Sequence, residues 1–264
     1  MAAALLWVRS NLRSHWRSAA LVVLIAGLCA GAAMAAVAGA RRTTTAFTRF
    51  VDDSLDPQVF VGSGDREAAE TAADVIRGLI DPARVGEAVF LAIKPANLDR
   101  SQEIDFQVIG VRSGSLAQSF FIPRVLSGHL PAAPDEVALN EVATDILGVR
   151  PGDTLPMLGY SNERMGECQS GGACDADVDL GEVKVSGIIR SPSDITPEAA
   201  GSATIELSAP LTDSWLPRVA GTLWVTVARL EHGDSGPAIS AALVDTFGPD
   251  RIEGASSDVY VETA

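Results

Sequence analysis

The sequence predicts an α+β protein in which one N-terminal membrane-spanning helix precedes a large mixed domain. One uncharged run, Ser18 to Ala40, lies between two arginines, and no second run of that kind follows. Beyond it, short apolar or alternating segments that suit strands are interleaved with amphipathic segments that suit helices. The rest of the chain, about 220 residues, is long enough to bury one large core or two small ones.

The uncharged run is long enough to cross a bilayer as a helix. At about 1.5 Å per residue it measures about 35 Å, which matches or slightly exceeds the hydrocarbon thickness. Gly27, Gly31 and Gly39 share one four-residue register with Ala35, which predicts a smooth face against which another helix can pack. Because alanine and glycine dominate this half of the run, the same spacing also arises from composition alone.

The residues beside the run predict how it lies in the membrane. Residues 1–17 carry arginines at every fourth position beside an apolar stripe, which is typical of a short amphipathic helix at the headgroups. The alternative is a cleaved secretory signal peptide, for which residues 36–40 offer small-residue cleavage sites. Residues 41–56 are predicted to continue the helix as a stalk. Arginines flank the run equally on both sides, so charge alone does not set its orientation.

Cysteines and charge indicate where the domain lies. Cys168 lies in a glycine-rich stretch, Ser161 to Gly172, and Cys174 lies just after it, which suits a disulfide in a flexible loop. A disulfide implies an oxidising compartment, so we expect an extracytoplasmic domain on a single-pass cell-membrane protein. The chain has 34 acidic and 20 basic residues, and its acids all follow the membrane run. Nucleic acid is therefore not an expected partner, and an anionic lipid surface would repel the domain.

Two predicted β-α-β units lie at the two ends of the domain. In the first, Asp65 is an expected helix N-cap, and apolar residues follow it at helical spacing. Its strand, helix and second strand are residues 58–61, 65–80 and 84–93. The second unit has its strand, its helix and its last strand or strands at residues 222–230, 237–247 and 251–261.

Two such units on either side of a long insertion predict a ferredoxin-like split β-α-β domain. Residues 57–103 and 215–264 would form this domain, and residues 104–214 an inserted strand-rich subdomain. Within the insertion we predict a two-turn helix at residues 141–147, ended by Gly148. The predicted strands of the insertion are residues 106–111, 136–140, 154–158 and 183–190.

The middle of the chain carries ordered motifs that resemble a known family. They are Gly128 to Pro131 (GHLP), Asp135 to Glu141 (DEVALNE), Leu147 to Leu155 (LGVRPGDTL) and Val185 to Ile189 (VSGII). They closely resemble the extracytoplasmic core domain of FtsX/MacB-type ABC transporter permeases. The segment Gly39 to Thr43 is similar to the end of the first span in many of these permeases. The resemblance covers nearly the whole chain and implies a Porter-like pair of β-α-β units with an inserted subdomain.

The resemblance implies a permease-type subunit and not an enzyme. A cytoplasmic ABC ATPase subunit would bind nucleotide, and the span and stalk would transmit its movement to the outer domain. Further permease helices or a second permease copy would pack against the span within the membrane lipid. Such permeases continue with more membrane helices after this domain, whereas the sequence ends at Ala264. We therefore expect either that those helices lie on another polypeptide or that the chain is a fragment. The alternative is a membrane-tethered or secreted non-enzymatic binding module without transport activity.

No catalytic, cofactor or metal site is predicted. Residues 61–65 (VGSGD) lack the lysine and the spacing of a phosphate-binding loop. Residues 233–237 (GDSGP) resemble the nucleophile loop of trypsin-like proteases, but Asp234 or Ser235 is better explained as a helix N-cap. The acids at residues 175–179 do not have the spacing of a calcium loop and favour a solvated hairpin. Zinc at the two cysteines is the alternative to the disulfide, but no histidine is near.

Overall fold

The structure is a computed structural model that describes residues 16–54, 57–98, 106–112, 122–170, 174–191, 194, 201–231, 234–249 and 259–263. The chain forms two compact units, Met1–Phe50 and Val51–Ala264. Helix α1 spans Trp16–Ser54, and among the described residues it is the one helix long and apolar enough to cross a membrane. The predicted amphipathic helix at residues 1–17 lies almost entirely outside the described residues.

The second unit contains one mixed sheet of eleven strands. In chain order the strands are β1 (Val59–Ser63), β2 (Val85–Leu91), β3 (Ile93–Pro95), β4 (Phe106–Val111), β5 (Arg124–Gly128), β6 (Glu136–Asn140), β7 (Thr154–Gly159), β8 (Val178–Arg190), β9 (Ala203–Leu207), β10 (Gly221–Ala228) and β11 (Val259–Thr263). The helices are α2 (Arg66–Arg77), α3 (Glu141–Leu147), α4 (Asn162–Gln169), α5 (Ala209–Trp215) and α6 (Gly236–Phe247). The predicted α+β class with one N-terminal apolar helix is therefore confirmed.

One end of the sheet, which we call the base, consists of β1, β2, β10 and β11 with α2 and α6. Its strand order is β11-β1-β10-β2, and each strand is antiparallel to its neighbours. Helix α2 begins after Asp65, whose carboxylate accepts from the backbone N–H of Glu67 at 3.0 Å. Its buried face is mostly alanine, so the helix packs closely against Val59 and Val61 of the sheet.

The remaining strands, β3 to β9 with α3, α4 and α5, form what we call the insert. They run in the order β4-β9-β6-β8-β7-β3, and β5 also pairs with β8. Strand β2 pairs with β4, whereas β3, which follows β2 after Ala92, pairs with β7 at the far end of this order. The insert therefore curves back on itself and encloses an apolar core. Its fully buried side chains include Leu139, Leu155, Met157, Ile205 and Leu207.

Several elements differ from the sequence-based expectation. The predicted flexible loop from Ser161 contains α4, because the Ser161 hydroxyl accepts from the backbone N–H of Arg164 and caps a helix. The prediction of a flexible loop was wrong because it was based on the glycine content and did not include the Ser161 N-cap. Strand β8 begins five residues earlier than predicted, at Val178. The predicted strand at residues 84–93 is interrupted at Ala92, and β5, β9 and α5 were not predicted.

Candidate functional site

The residues that carry the family resemblance come together where β5 meets β8. Gly128 pairs with Gly187 across these strands, and its φ of +75° is a conformation that favours glycine. The backbone N–H of His129 donates to the carbonyl of Ser186 at 3.1 Å. The Ser186 hydroxyl lies 3.1 and 3.0 Å from the carbonyls of His129 and Val137. These contacts hold β5, β6 and β8 together.

Glu136 closes the loop that leads into β6. Its carboxylate accepts from the backbone N–H groups of Ala132 and Ala133, both at 3.1 Å. These two donors hold the pKa of Glu136 below its usual range. The imidazole of His129 lies 3.8 Å away but is mostly exposed. Glu136 therefore orders backbone and is not placed as a general acid.

Asn140, at the end of the same motif, connects α3 to two other segments. Its side-chain oxygen accepts from the backbone N–H groups of Ala143 and Thr204, at 2.9 and 3.1 Å. Its amide nitrogen donates to Asp194 Oδ1 and to the carbonyl of Ser202, both at 2.9 Å. The side chain is buried and fully engaged. Sequence reasoning did not single it out, although an asparagine directly before a short helix is a usual capping signal.

The turn after α3 is fastened to β8. Gly148 ends the helix with a φ of +66°. The backbone N–H of Gly152 donates to the carbonyl of Val185 at 2.8 Å, and the Val185 N–H donates to the backbone carbonyl of Asp153 at 2.9 Å. The Asp153 carboxylate accepts from the backbone N–H of Arg150 at 2.8 Å. The motif residues thus build one folded unit, and the contacts they make are structural.

The predicted cysteine pair lies in an arm, residues 160–177, between β7 and β8. Cys168 and Cys174 are joined as a disulfide, with their Cα atoms 5.0 Å apart. The other end of the arm is held by the Asp177 carboxylate, which accepts from the Ser161 N–H and hydroxyl at 2.8 and 2.6 Å. The Ser161 hydroxyl, followed by its N–H, holds the pKa of Asp177 below its usual range. The arm is therefore closed at both ends.

The other motif residues have local structural roles. Ser235 is the N-cap of α6 and accepts from the backbone N–H of Ala238. Asp234 accepts from the N–H of Glu231 at 2.8 Å and pairs with Arg84, and these two contacts, in that order, lower its pKa. Within the described part of the chain, no three histidine, cysteine, aspartate or glutamate side chains cluster as metal ligands would.

The predicted helix-packing face lies on α1. Gly27, Gly31, Ala35 and Gly39 all fall within this continuous helix. A Cβ atom built on any of the three glycines would meet nothing within 4 Å outside the helix itself. The described side chains of this helix between residues 16 and 42 are exposed. These four positions are therefore as open as the rest of this part of α1, and the packing face stays a prediction.

A cleft of about 330 Å³ lies where the base meets the insert. Its wall includes the indole of Trp224, which has the guanidinium carbons of Arg66 and Arg112 at 5.2 and 5.0 Å from its ring centre. The Glu70 carboxylate lies 2.8 Å from Arg66 and 3.4 Å from Arg112. The full lining is Gly64, Asp65, Arg66, Asn162, Leu216, Val219, Gly221 and Trp224. Both arginines are paired with carboxylates, so these side chains hold the wall of the cleft in place and do not form a catalytic site.

The chain is similar in structure to several solved domains. No protein-family model matches the chain, and no curated protein matches its sequence. The periplasmic region of MacB from Actinobacillus actinomycetemcomitans aligns with 82% of this chain and 93% of that structure, at 9% identity and a TM-score of 0.43. A domain described as belonging to a permease from Porphyromonas gingivalis aligns over 79% and 90%, at 10% identity and a TM-score of 0.42. The extracellular domain of the noncanonic ABC-type transporter YknZ from Gram-positive bacteria aligns over 78% and 100%, at 11% identity and a TM-score of 0.41.

Proposed function

We propose that the chain is a permease-type subunit of an FtsX/MacB-like ABC transporter. Residues 18–40 cross a cell membrane once, residues 41–56 form a stalk, and the following domain is extracytoplasmic. A cytoplasmic ATPase subunit supplies movement, and the outer domain couples that movement to the handling of a substrate or a partner protein. The observation that carries the proposal is the assembly of the resembling motifs, Gly128 to Ile189, into one folded unit behind a single N-terminal apolar helix.

The order of the base strands supports the Porter-like, ferredoxin-like part of the proposal. Strands β1 and β2 are both antiparallel to β10, which lies between them, and β10 and β11 flank β1 in the same way. The two β-α-β units are therefore interleaved, as a split β-α-β domain requires. In this proposal residues 57–103 and 215–264 form that domain, and residues 104–214 are its inserted subdomain.

If the domain is extracytoplasmic, a membrane-impermeant maleimide is expected to react in intact cells with cysteines in the domain and not with cysteines that precede the span. Glu182 is exposed on β8, so a Glu182→Cys variant in a Cys29→Ser background is expected to be labelled without permeabilisation. The native cysteine pair is oxidised and does not react. Ser10→Cys, in the same background, precedes the span and is expected to be labelled only after permeabilisation. The opposite pattern would place the domain in the cytoplasm and contradict the proposal.

If the chain has an ATPase partner, ATP hydrolysis activity is expected to co-purify with the tagged full chain from native membranes. The span would reach its partner helices through the small-residue face, so Gly31→Leu is expected to remove most of the co-eluting, vanadate-sensitive activity. The matched control is Ala33→Leu, which adds a similar volume on the opposite side of the helix. The control is expected to retain the activity.

The outcomes of that purification separate the two function classes and also test the packing face. Activity that survives in the control variant and falls in Gly31→Leu supports a permease subunit whose span packs against other helices. A soluble, cleaved product without ATP hydrolysis would instead identify a secreted binding module. Equal activity in both variants would refute the role of Gly27, Gly31, Ala35 and Gly39 as a packing face.

A further inference from the structure

Three backbone segments form a closed ring of hydrogen bonds at the junction between base and insert. The N–H of Ala92, between β2 and β3, donates to the carbonyl of Ala220 at 2.9 Å. The N–H of Ala220 donates to the backbone carbonyl of Tyr160 at 2.8 Å, and the N–H of Tyr160 donates to the carbonyl of Ala92 at 2.9 Å. Tyr160, which follows β7 of the insert, takes part in two of the three bonds, so moving it away from Ala92 and Ala220 would break both.

The apolar core runs through this junction without a break. A single buried cluster contains Val89, Leu91 and Trp224 from the base together with Val108 and Leu139 from the insert. Residues in one such cluster pack at crystal-like density and lose their contacts if one side moves. Base and insert therefore share this buried cluster at their junction, whereas the base has a second cluster of its own beneath α2 and α6, which includes Val59, Ile76 and Leu243.

Gly159 brings the end of β7 close to the segment that leads into β10. A Cβ on Gly159 would lie 2.4 Å from Val219 Cγ1, so the lack of a side chain is what allows this contact. Gly221 makes room within β10, where a Cβ would lie 2.9 Å from the indole of Trp224. A hinge at this place would need space that these contacts occupy.

Arg112 provides a further connection between the insert and the base. It follows β4, and its backbone N–H donates to the carbonyl of Glu87 on β2 at 2.9 Å. Its guanidinium lies over Trp224, 3.4 Å from the Glu70 carboxylate and 3.6 Å from the Glu87 carboxylate. The Arg112 and Glu87 side chains are only 20% and 18% exposed, so solvent screens this ion pair less than a surface pair.

We infer that base and insert open and move as one cooperative body, and that Arg112 is the positioning residue that couples them. Arg112 joins three elements of the base, since Glu70 lies on α2, Glu87 on β2 and Trp224 on β10. In this proposal, force applied to the base passes to the insert through these contacts of Arg112. The rigidity follows from the contacts alone, and only its use in transport rests on the proposed function.

Native-state hydrogen exchange of the full chain in detergent, followed by mass spectrometry, tests this inference. In the wild type, peptides from β10 and from β6 are expected to show the same free energy of opening and the same denaturant dependence. In Arg112→Met the two sets are expected to separate, with opening of the weaker set increased about tenfold. Arg112→Lys keeps the charge without the planar stacking and is expected to fall between them.

Arg190→Met is the matched control, because the Arg190 guanidinium pairs with Glu141 entirely within the insert, at 2.7 Å. This variant is expected to keep the two sets of peptides together. Separate opening in the wild type would overturn the cooperative body, whether or not ATP hydrolysis co-purifies with the chain. Coincident opening in Arg112→Met would overturn the role of Arg112. If Arg112→Met does not fold, the wild-type and Arg112→Lys measurements decide both points.

Discussion

Replacing Gly187 by alanine is expected to destabilise the domain by about 2–3 kcal/mol, the upper part of the range for overpacking. A Cβ at this position would lie 2.4 Å from the carbonyl oxygen of His129 and 2.9 Å from that of Ser127. Both are backbone atoms, which cannot rotate away as a flexible side chain can. Strand β5 would have to separate from β8, which would also break the bond between the His129 N–H and Ser186. The measurement is the urea midpoint of the full chain in mild detergent.

Gly166→Ala is the control for this prediction. Gly166 lies on the exposed helix α4, and a Cβ there would meet nothing within 4 Å. Because alanine is the better helix former by about 1 kcal/mol, this variant is expected to be as stable as the wild type or more stable. If the two variants unfolded at the same urea concentration, the close approach of β5 and β8 at Gly187 would be refuted.

The stability of the domain is expected to fall as the pH rises from 4.5 to about 7, because of Glu206. On β9, Ala203, Ile205 and Leu207 enter the core, whereas Glu206 lies on the other face, opposite Ile109 and Ala138. The residue as a whole is half-buried, but desolvation of its carboxyl group is the main cause that raises its pKa from 4.5 to about 7, and the nearby Asp194 carboxylate adds to it.

The sign of this effect follows from proton binding. Between pH 4.5 and about 7 the folded chain holds the Glu206 proton and the unfolded chain releases it. The stabilisation is thus fully present below pH 4.5 and is lost as the pH rises through about 7. A difference of this size between the folded and unfolded pKa corresponds to at most about 3.5 kcal/mol.

Glu206→Gln removes the titrating group and keeps nearly the same shape. Its unfolding free energy is expected to change less between about pH 5 and about pH 8 than that of the wild type. Asp194→Asn is expected to weaken the pH dependence partly, since it removes the second cause of the shift. Glu182→Gln, at an exposed position on β8, is expected to behave as the wild type. A Glu206→Gln variant with the wild-type pH dependence would contradict the assignment.

Elements with strong local signals were predicted well from the sequence. Helix α2 follows the expected N-cap Asp65, and α3 ends at the expected Gly148. Strands β4 and β6 have the predicted bounds. In each case the cap, the periodicity or the turn residue lies within the element, so a short window of sequence contains the information. Helix α4 was missed because its capping serine stands in a stretch rich in glycine.

The motif residues were recognised from the sequence, but their contacts were not. The resemblance to FtsX/MacB-type permeases identified Gly128, Glu136 and Gly187 as parts of one pattern. That Gly128 faces Gly187, and that Glu136 closes its own loop, depends on how β5 and β6 pair with β8. A shift of one residue in either register would turn these groups to the other face of the sheet.

By itself, the sequence determined the single apolar helix, the α+β class and the positions of most strands and helices. These properties depend on length, periodicity and capping, which act between residues close along the chain. Tertiary structure alone decided that Arg112 meets Trp224, that Glu206 is desolvated and that base and insert share a buried cluster. The physical reason is that such contacts join residues far apart in the chain. They arise only when strand pairing and close packing form together.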